Sequence, residues 1–138
     1  MTLETGLAEE LADSIVGAAR ASLGDTLRAV VYFTPSSFDV LYRRQGLYGS
    51  SDAAREAKSQ LVEFERTGFV ERPIRTAIAR TENGPDIGPY EFTVRFHRDG
   101  FVIRIIEGDA GVLFTADSMD VNAFEDAASV ISGLLADE

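Results

Sequence analysis

The strict alternation from Glu91 to His97 constrains this chain more than any other stretch. Phe92, Val94 and Phe96 fall on one parity, and Thr93, Arg95 and His97 on the other. That is the period-two pattern of a strand with one buried face. Asp99-Gly100 follows, a dipeptide suited to a type I′ turn because both central residues of that turn need positive φ. Phe101 to Glu107 is then the return strand, and Gly108-Asp109-Ala110-Gly111 turns the chain again into a strand from Val112 to Ala116. Consecutive hairpins build an antiparallel sheet. A sheet that is apolar on one face must be covered there.

Helices at the two ends supply the cover. Leu7, Leu11, Ile15, Ala18, Ala19 and Leu23 recur at helical spacing, so residues 5–23 read as an amphipathic helix capped by Thr5 and stopped by Gly24. Residues 120–136 read as another, capped by Asp120, with Val121, Phe124, Ala128, Ile131, Leu134 and Leu135 inward. Between them, Leu27 to Phe33 is apolar on both parities, as expected of a strand covered on two faces. A turn at Thr34-Pro35-Ser36-Ser37 leads to a strand from Phe38 to Arg43, pairing Phe33 with Phe38, Val31 with Val40 and Ala29 with Tyr42. Ser50 or Ser51 caps a middle helix over about 52–67, with Ala54, Ala57, Leu61 and Phe64 inward and Gly68 as its stop. In 69–89, Pro73, Ile74, Ala77 and Ile78 show only a short helical spacing, and Thr81 to Pro89 reads as loop. The fold expected is α+β: one domain, 1–138, with a five-stranded, mostly antiparallel sheet, the end helices on one face and the middle helix on the other.

Charge bounds the partners. Twenty-three acidic residues face a single lysine, Lys58, and the formal net charge is -10. Short carboxylates stay hydrated in concentrated salt and hold solvent cations, while their mutual repulsion fades as the Debye length falls to roughly 3 Å at about 1 M. The composition reads as that of a protein of a salt-accumulating cytoplasm. Nucleic acid is an unsuitable partner, because the chain repels phosphate backbones. No apolar run approaches the ~20 residues of a membrane span, and the acidic start from Met1 to Glu10 lacks the basic opening of a secretory signal. The absence of cysteine excludes disulfides, thiolate catalysis and Cys-ligated metals.

The Asp99-Gly100 turn sets a register of Arg98 with Phe101, His97 with Val102, Phe96 with Ile103, Arg95 with Arg104 and Val94 with Ile105. Phe96, Val94, Ile103 and Ile105 then form the core face. The other face carries Arg95, His97 and Arg104, with Thr115 beside Arg104 if the following loop has four residues. Two arginines across a ladder repel, so an anion is expected over them. It is a carboxylate of the middle helix, such as Glu63 or Glu56, a carboxylate-rich partner surface including a second copy of the chain, or a small anionic ligand. Paired guanidinium forks suit either phosphate or carboxylate.

Catalytic constellations are missing. His97 is the only histidine, its strand has no nearby serine, and there is no G-x-S-x-G elbow. Neither common phosphate-loop motif occurs. Asp117, Asp120, Asn122, Glu125 and Asp126 gather at the last helix without EF-hand spacing, and capping explains them. No cofactor or specific metal is expected. The arginines at 43, 44, 72, 75 and 80 read as solvated or ion-paired, with a modest basic strip around 72–80.

The strand Leu27-Arg28-Ala29-Val30-Val31 after an acidic first helix, the segment Phe38-Asp39-Val40-Leu41-Tyr42 and the hairpin from Phe92 to Ile105 resemble a group of small uncharacterised haloarchaeal proteins, which brings no function with it. The order of elements is similar to the roadblock/longin-like domains, by topology and without a signature residue. That resemblance implies a strand order of 2-1-5-4-3 with the first strand central, a tendency to dimerise and a regulatory role; some members regulate small GTPases. The function expected is a non-catalytic interaction or regulatory module, dimeric and cytoplasmic. The alternative is a sensor domain holding a small anion over Arg95, Arg104 and His97.

Overall fold

The structure, a computed structural model, describes residues 3–47, 49–81 and 87–137. Its elements are α1 (Glu9–Leu23), β1 (Leu27–Phe33), β2 (Phe38–Arg43), α2 (Ser51–Glu65), α3 (Gly68–Ala79), β3 (Thr93–His97), β4 (Gly100–Glu107), β5 (Ala110–Ala116) and α4 (Val121–Ala136). The five strands form one antiparallel sheet in the order β2-β1-β5-β4-β3. The order is the one the topological resemblance implied. β1 is interior, between β2 and β5, while β5 takes the middle position.

The sheet separates two apolar layers. Val30, Tyr32, Ile103, Ile105, Val112 and Phe114 pack under α1 and α4 with Ile15, Ala19, Phe124 and Ile131. The smaller opposite layer gathers Val31, Phe33, Phe38, Val102, Ile106 and Leu113 under Val62 of α2, with Phe69 of α3 against it. Alternation in β1 therefore feeds both layers, as its two-sided apolarity required.

Several boundaries differ from the sequence reading, each for a local reason. Helix α1 begins at Glu9, after Ala8, with no side-chain cap. Thr5 serves elsewhere: its backbone N–H and its hydroxyl both donate to the buried carboxylate of Asp39, at 2.9 and 2.6 Å, which ties the entering chain to β2. Helix α2 is capped by Ser50, whose Oγ accepts from Ala53 N at 3.1 Å. It is rotated relative to expectation. Ala54, Lys58, Val62 and Glu65 face inward, Ala57 is exposed and Phe64 points to solvent. Gly68 does not end a helical region but opens α3, which carries Pro73 inside it and extends helix over residues where only a short spacing was legible. The loop expected over Thr81 to Pro89 lies, for 82–86, outside the described residues. Helix α4 is capped by Asp120 as expected, although Val121 is exposed.

Both C-terminal hairpins shift their register by two residues from the sequence reading. In the first, the turn falls one residue earlier, at Arg98-Asp99, with His97 opposite Gly100, and no described residue other than glycine has positive φ. Gly100 is already in the ladder. There it solves a packing problem, because a Cβ at this position would lie 2.8 Å from the carbonyl oxygen of Ala116. The second turn is tighter than the four-residue loop expected. It is Gly108-Asp109, with Gly108 at φ 57° and Glu107 opposite Ala110, matching the preference for glycine at the first central position of a two-residue hairpin. In the N-terminal hairpin, Phe33 and Phe38 pair as expected, and so do Val31 and Val40. A bulge then sets Tyr42 against Val30 instead of Ala29.

Gly111 shows how tightly the α2–α3 layer is packed. It pairs with Phe33 across the ladder, and a Cβ there would sit 2.5 Å from Phe33 Cζ. The ring cannot retreat freely, since Phe69 meets it edge-on at 5.4 Å. Gly111→Ala is expected to destabilise the protein by about 1–3 kcal/mol through overpacking. Urea unfolding of the variant measures this, and a midpoint equal to that of the unsubstituted protein would contradict it.

Candidate functional site

The two register shifts move the expected cluster without changing its face. Arg95 lies opposite Val102, and Arg104 opposite Thr93 on one side and Leu113 on the other. The two arginines are diagonal neighbours, not a direct pair, and Thr115 lies opposite Val102 instead of beside Arg104. All four residues keep to the α2–α3 side of the sheet, but they divide into two groups.

Arg95 and Arg104 converge on one carboxylate. Arg95 Nε donates to Glu65 Oε2 at 2.7 Å, and Arg104 Nη1 donates to Glu65 Oε1 at 3.2 Å. Arg104 Nη2 is within hydrogen-bonding distance of Glu71 Oε1 at 3.1 Å, Thr93 Oγ1 at 3.0 Å and the Tyr90 hydroxyl at 3.3 Å. Arg104 and Glu65 are sealed, at 0% and 1% exposure, in the middle of an apolar layer. The carboxylate that answers the arginines is thus the last residue of α2, with Glu71 of α3 beside it, and not Glu63 or Glu56. Glu63 is exposed and pairs with Arg66. Rotation of α2 is what substitutes one for the other.

Gly68 makes the arrangement fit. A Cβ there would lie 2.8 Å from Arg104 Nε, 2.9 Å from Cζ and 2.8 Å from Ile106 Cγ1. The guanidinium therefore lies against bare backbone at the α2–α3 junction, and its Nε has no hydrogen-bond partner among the described residues. Burial works against the charge of Arg104, but Tyr90, Glu71 and Glu65 together outweigh it and raise its pKa. Glu71 shows the same balance. Burial alone would push it up, whereas the bond from Arg75 and the charges of Arg104 and Arg75 hold it below the usual carboxylate range.

His97 and Thr115 belong to a different place. With Arg28, Lys58 and Arg98 they line an open cleft of about 330 Å³ between α2 and the β3–β4 turn. Sequence reasoning did not bring Arg28 or Lys58 to this point. Arg28 sits where the β1–β5 register slips between Leu27 and Ala29, and Lys58 is on the helix face that hydrophobic spacing turns outward. Arg28 also donates to Asp117 at 2.9 Å, and Arg44 pairs with the same carboxylate. Bonds from Arg44 and then Arg28 hold Asp117 below its ordinary range. That pairing and the capping by Asp120 account for two members of the acidic group at α4. Among the described residues no cluster of His, Cys, Asp or Glu could hold a metal, and no helix is long and apolar enough to cross a membrane.

A third feature is apolar. Val70, Ile74 and Ile78 follow one another at four-residue spacing along α3 and are 67%, 55% and 46% exposed, with Phe64 of α2 at 73%. The basic strip around 72–80 lies on this regular helix. Arg72 pairs with Glu107 and Arg75 with Glu71. On the opposite face, Val94 and Phe96 of edge strand β3 are exposed instead of forming core; Phe96 keeps an edge-on contact with Phe101 at 5.0 Å.

Replacing one partner of a buried ion pair strands the other. Glu65→Ala is expected to cost about 3–5 kcal/mol. The double variant Arg104→Met/Glu65→Leu, which leaves no unpaired charge between them, is expected to lose less than Glu65→Ala alone. Denaturant unfolding of both variants tests this; a double variant less stable than the single would refute the account.

A family model described as a domain of unknown function, DUF7522, matches residues 13–136. No curated protein matches the chain. Two solved structures are similar over nearly the whole chain. One is the gliding protein MglB from Thermus thermophilus, with 15% identity, a TM-score of 0.54, and coverage of 95% of this chain and 92% of that one. The other is MglB with a tetrameric arrangement, with 13% identity, a TM-score of 0.52, and coverage of 93% and 92%. At these identities the likeness is one of fold, the roadblock/longin-like α+β arrangement.

Proposed function

The chain belongs to the DUF7522 domain family, and on that premise we propose that it is a non-catalytic interaction or regulatory module that works by associating with a second copy of itself. The exposed stripe of Val70, Ile74 and Ile78 on α3 carries this reading. A helix normally turns its apolar side inward, and a row of large apolar side chains left in water marks an interaction surface. Charge favours a second copy as the occupant. Residues 66–80 hold four arginines against one glutamate, and three of those arginines are paired with Glu63, Glu107 and Glu71. The stripe therefore borders a charge-balanced patch where two chains of net charge -10 can approach. One of the MglB structures of similar fold has a tetrameric arrangement. The non-catalytic reading is supported by the use of the densest ionisable cluster: Arg95, Glu65, Arg104 and Glu71 join α2 and α3 to the sheet, with the central pair closed to solvent.

A second reading, a sensor for a small anion, is favoured by the cleft that His97 and Thr115 share with Arg28, Lys58 and Arg98. Arg95 and Arg104 do not enter that cleft, so the anion-holding set differs from the one expected from the sequence.

The medium proposed is a salt-accumulating cytoplasm, supported by the ratio of 23 acidic residues to one lysine. The only lysine is buried, which leaves the described surface with arginine as its permanent cation.

Ile74→Glu places a carboxylate in the middle of the α3 stripe at a position already exposed. In about 2 M KCl, where surface charge is screened, light scattering is expected to give a multiple of the chain mass for the unsubstituted protein and the chain mass for the variant, with unchanged circular dichroism. A monomeric parent, or a variant that keeps the larger mass, would refute self-association through α3. Independently, the melting temperature is expected to fall on transfer from about 2 M to about 50 mM KCl as carboxylate repulsion returns. A melting temperature that does not fall would remove the support for a saline habitat.

A further inference from the structure

We propose that the cleft between α2 and the β3–β4 turn is a binding site for a small tetrahedral oxyanion of the phosphate class. This deepens the anion-sensor reading and rests on it; it is independent of self-association through α3. Four observations converge on the cleft.

The first is charge. In a chain of net charge -10, Arg28, Lys58 and Arg98 line one cleft together with His97, against a single lining carboxylate, Asp99. The second is the position of Lys58. The chain has one lysine, and it is not on the surface, where a lysine is least costly, but 7% exposed in the wall of this cleft. Desolvating an ammonium is costly unless anions compensate it. Lys58 has interactions of its own within the protein, and an oxyanion in the cleft would add to them. The third is Thr115, which also lines the cleft. It is buried, and its Oγ1 has no hydrogen-bond partner among the described residues. A buried hydroxyl in that state costs free energy that an acceptor would recover. The fourth is local backbone geometry. The register slip between Leu27 and Ala29 takes Arg28 out of the regular ladder, and Gly100 in the lining contributes no side chain to fill the space.

These groups differ in a useful way. Lys58 is a compact point charge, Arg28 and Arg98 are planar forks, and Thr115 is a neutral donor. A tetrahedral oxyanion presents acceptors in several directions and can meet all three kinds. The cleft volume of about 330 Å³ leaves room for a phosphate ester as well as for the free ion. Asp117 bonds Arg28 from outside the lining, which holds that fork in place and limits the net positive charge that an anion meets.

The probe is inorganic phosphate, titrated into the full chain with KCl adjusted to constant ionic strength. His97 is the only histidine, so its ring resonances report on the cleft without ambiguity of assignment. A saturable shift of those resonances is expected. Arg98→Gln alters an exposed residue, and Thr115→Val keeps the side-chain shape while removing the hydroxyl. Each is expected to weaken phosphate binding by about 3- to 10-fold, the scale of one lost hydrogen bond. Thr115→Val is expected to melt no lower than the parent, since it removes an unpartnered polar atom, and this separates loss of binding from loss of fold. Saturable binding that neither variant weakens would overturn the cleft assignment while leaving the broader anion-sensor reading in place. No saturable shift in the parent would overturn both.

Discussion

The ion pair between Arg104 and Glu65 sets the geometry of half the molecule. It lies inside an apolar layer, between Val102 and Ile106 along β4 and beneath the α2–α3 junction. A buried pair contributes little net stability once desolvation is counted, but removing either partner is costly. Its effect is therefore on arrangement more than on total stability. Glu65 must be inward for the pair to form, which fixes the rotation of α2. Glu71 must reach the same guanidinium, which sets how α3 leaves the junction. Once these helices are placed, Phe64, Val70, Ile74 and Ile78 have no inward position left and are presented to solvent. The apolar stripe proposed as an association surface is in this sense a product of the polar knot beneath it.

The two faces of the sheet are built on different principles. The α1–α4 side is an apolar core in which Phe101, Phe114 and Phe124 make successive ring contacts. The α2–α3 side has a smaller apolar cluster, with charged residues placed among it. The first side supplies hydrophobic stabilisation in proportion to its area. The second supplies sites: a closed one at Arg104, and an open one at Lys58, His97 and Thr115. The division places both polar sites on one layer of the fold.

The strands and their faces were legible because period-two alternation is insensitive to where a turn begins. Phe92 to His97, Phe101 to Glu107 and Leu27 to Phe33 announce their faces whatever the hairpin length, and a register error of two residues returns each side chain to the same side. That is why Arg95, His97, Arg104 and Thr115 were assigned to one face correctly while their pairings were not. The turns misled because Gly100 and Gly111 are glycines that the fold needs for close approach, to Ala116 and to Phe33, and not for φ. Helix α2 misled for another reason. Its inward face carries Lys58 and Glu65, which any hydrophobic periodicity turns outward, so Ala57 and Phe64 were read as inward, while Ala54 and Leu61 do pack on the sheet side. Helix α3 was obscured by the same inversion, with its largest aliphatic side chains outside. The Lys58 cleft was illegible from one sequence because it joins α2 to two distant strand ends.

The contact between Gly68 and Arg104 couples two positions far apart in the chain. A side chain at Gly68 has no room while the guanidinium lies against the junction, and a shorter residue at 104 would leave a hole that only a bulkier junction could fill. Neither site can drift alone. In a lineage descended from this fold, glycine and arginine should be inherited together or lost together, so their joint presence would trace descent more reliably than the hydrophobic pattern that surrounds them.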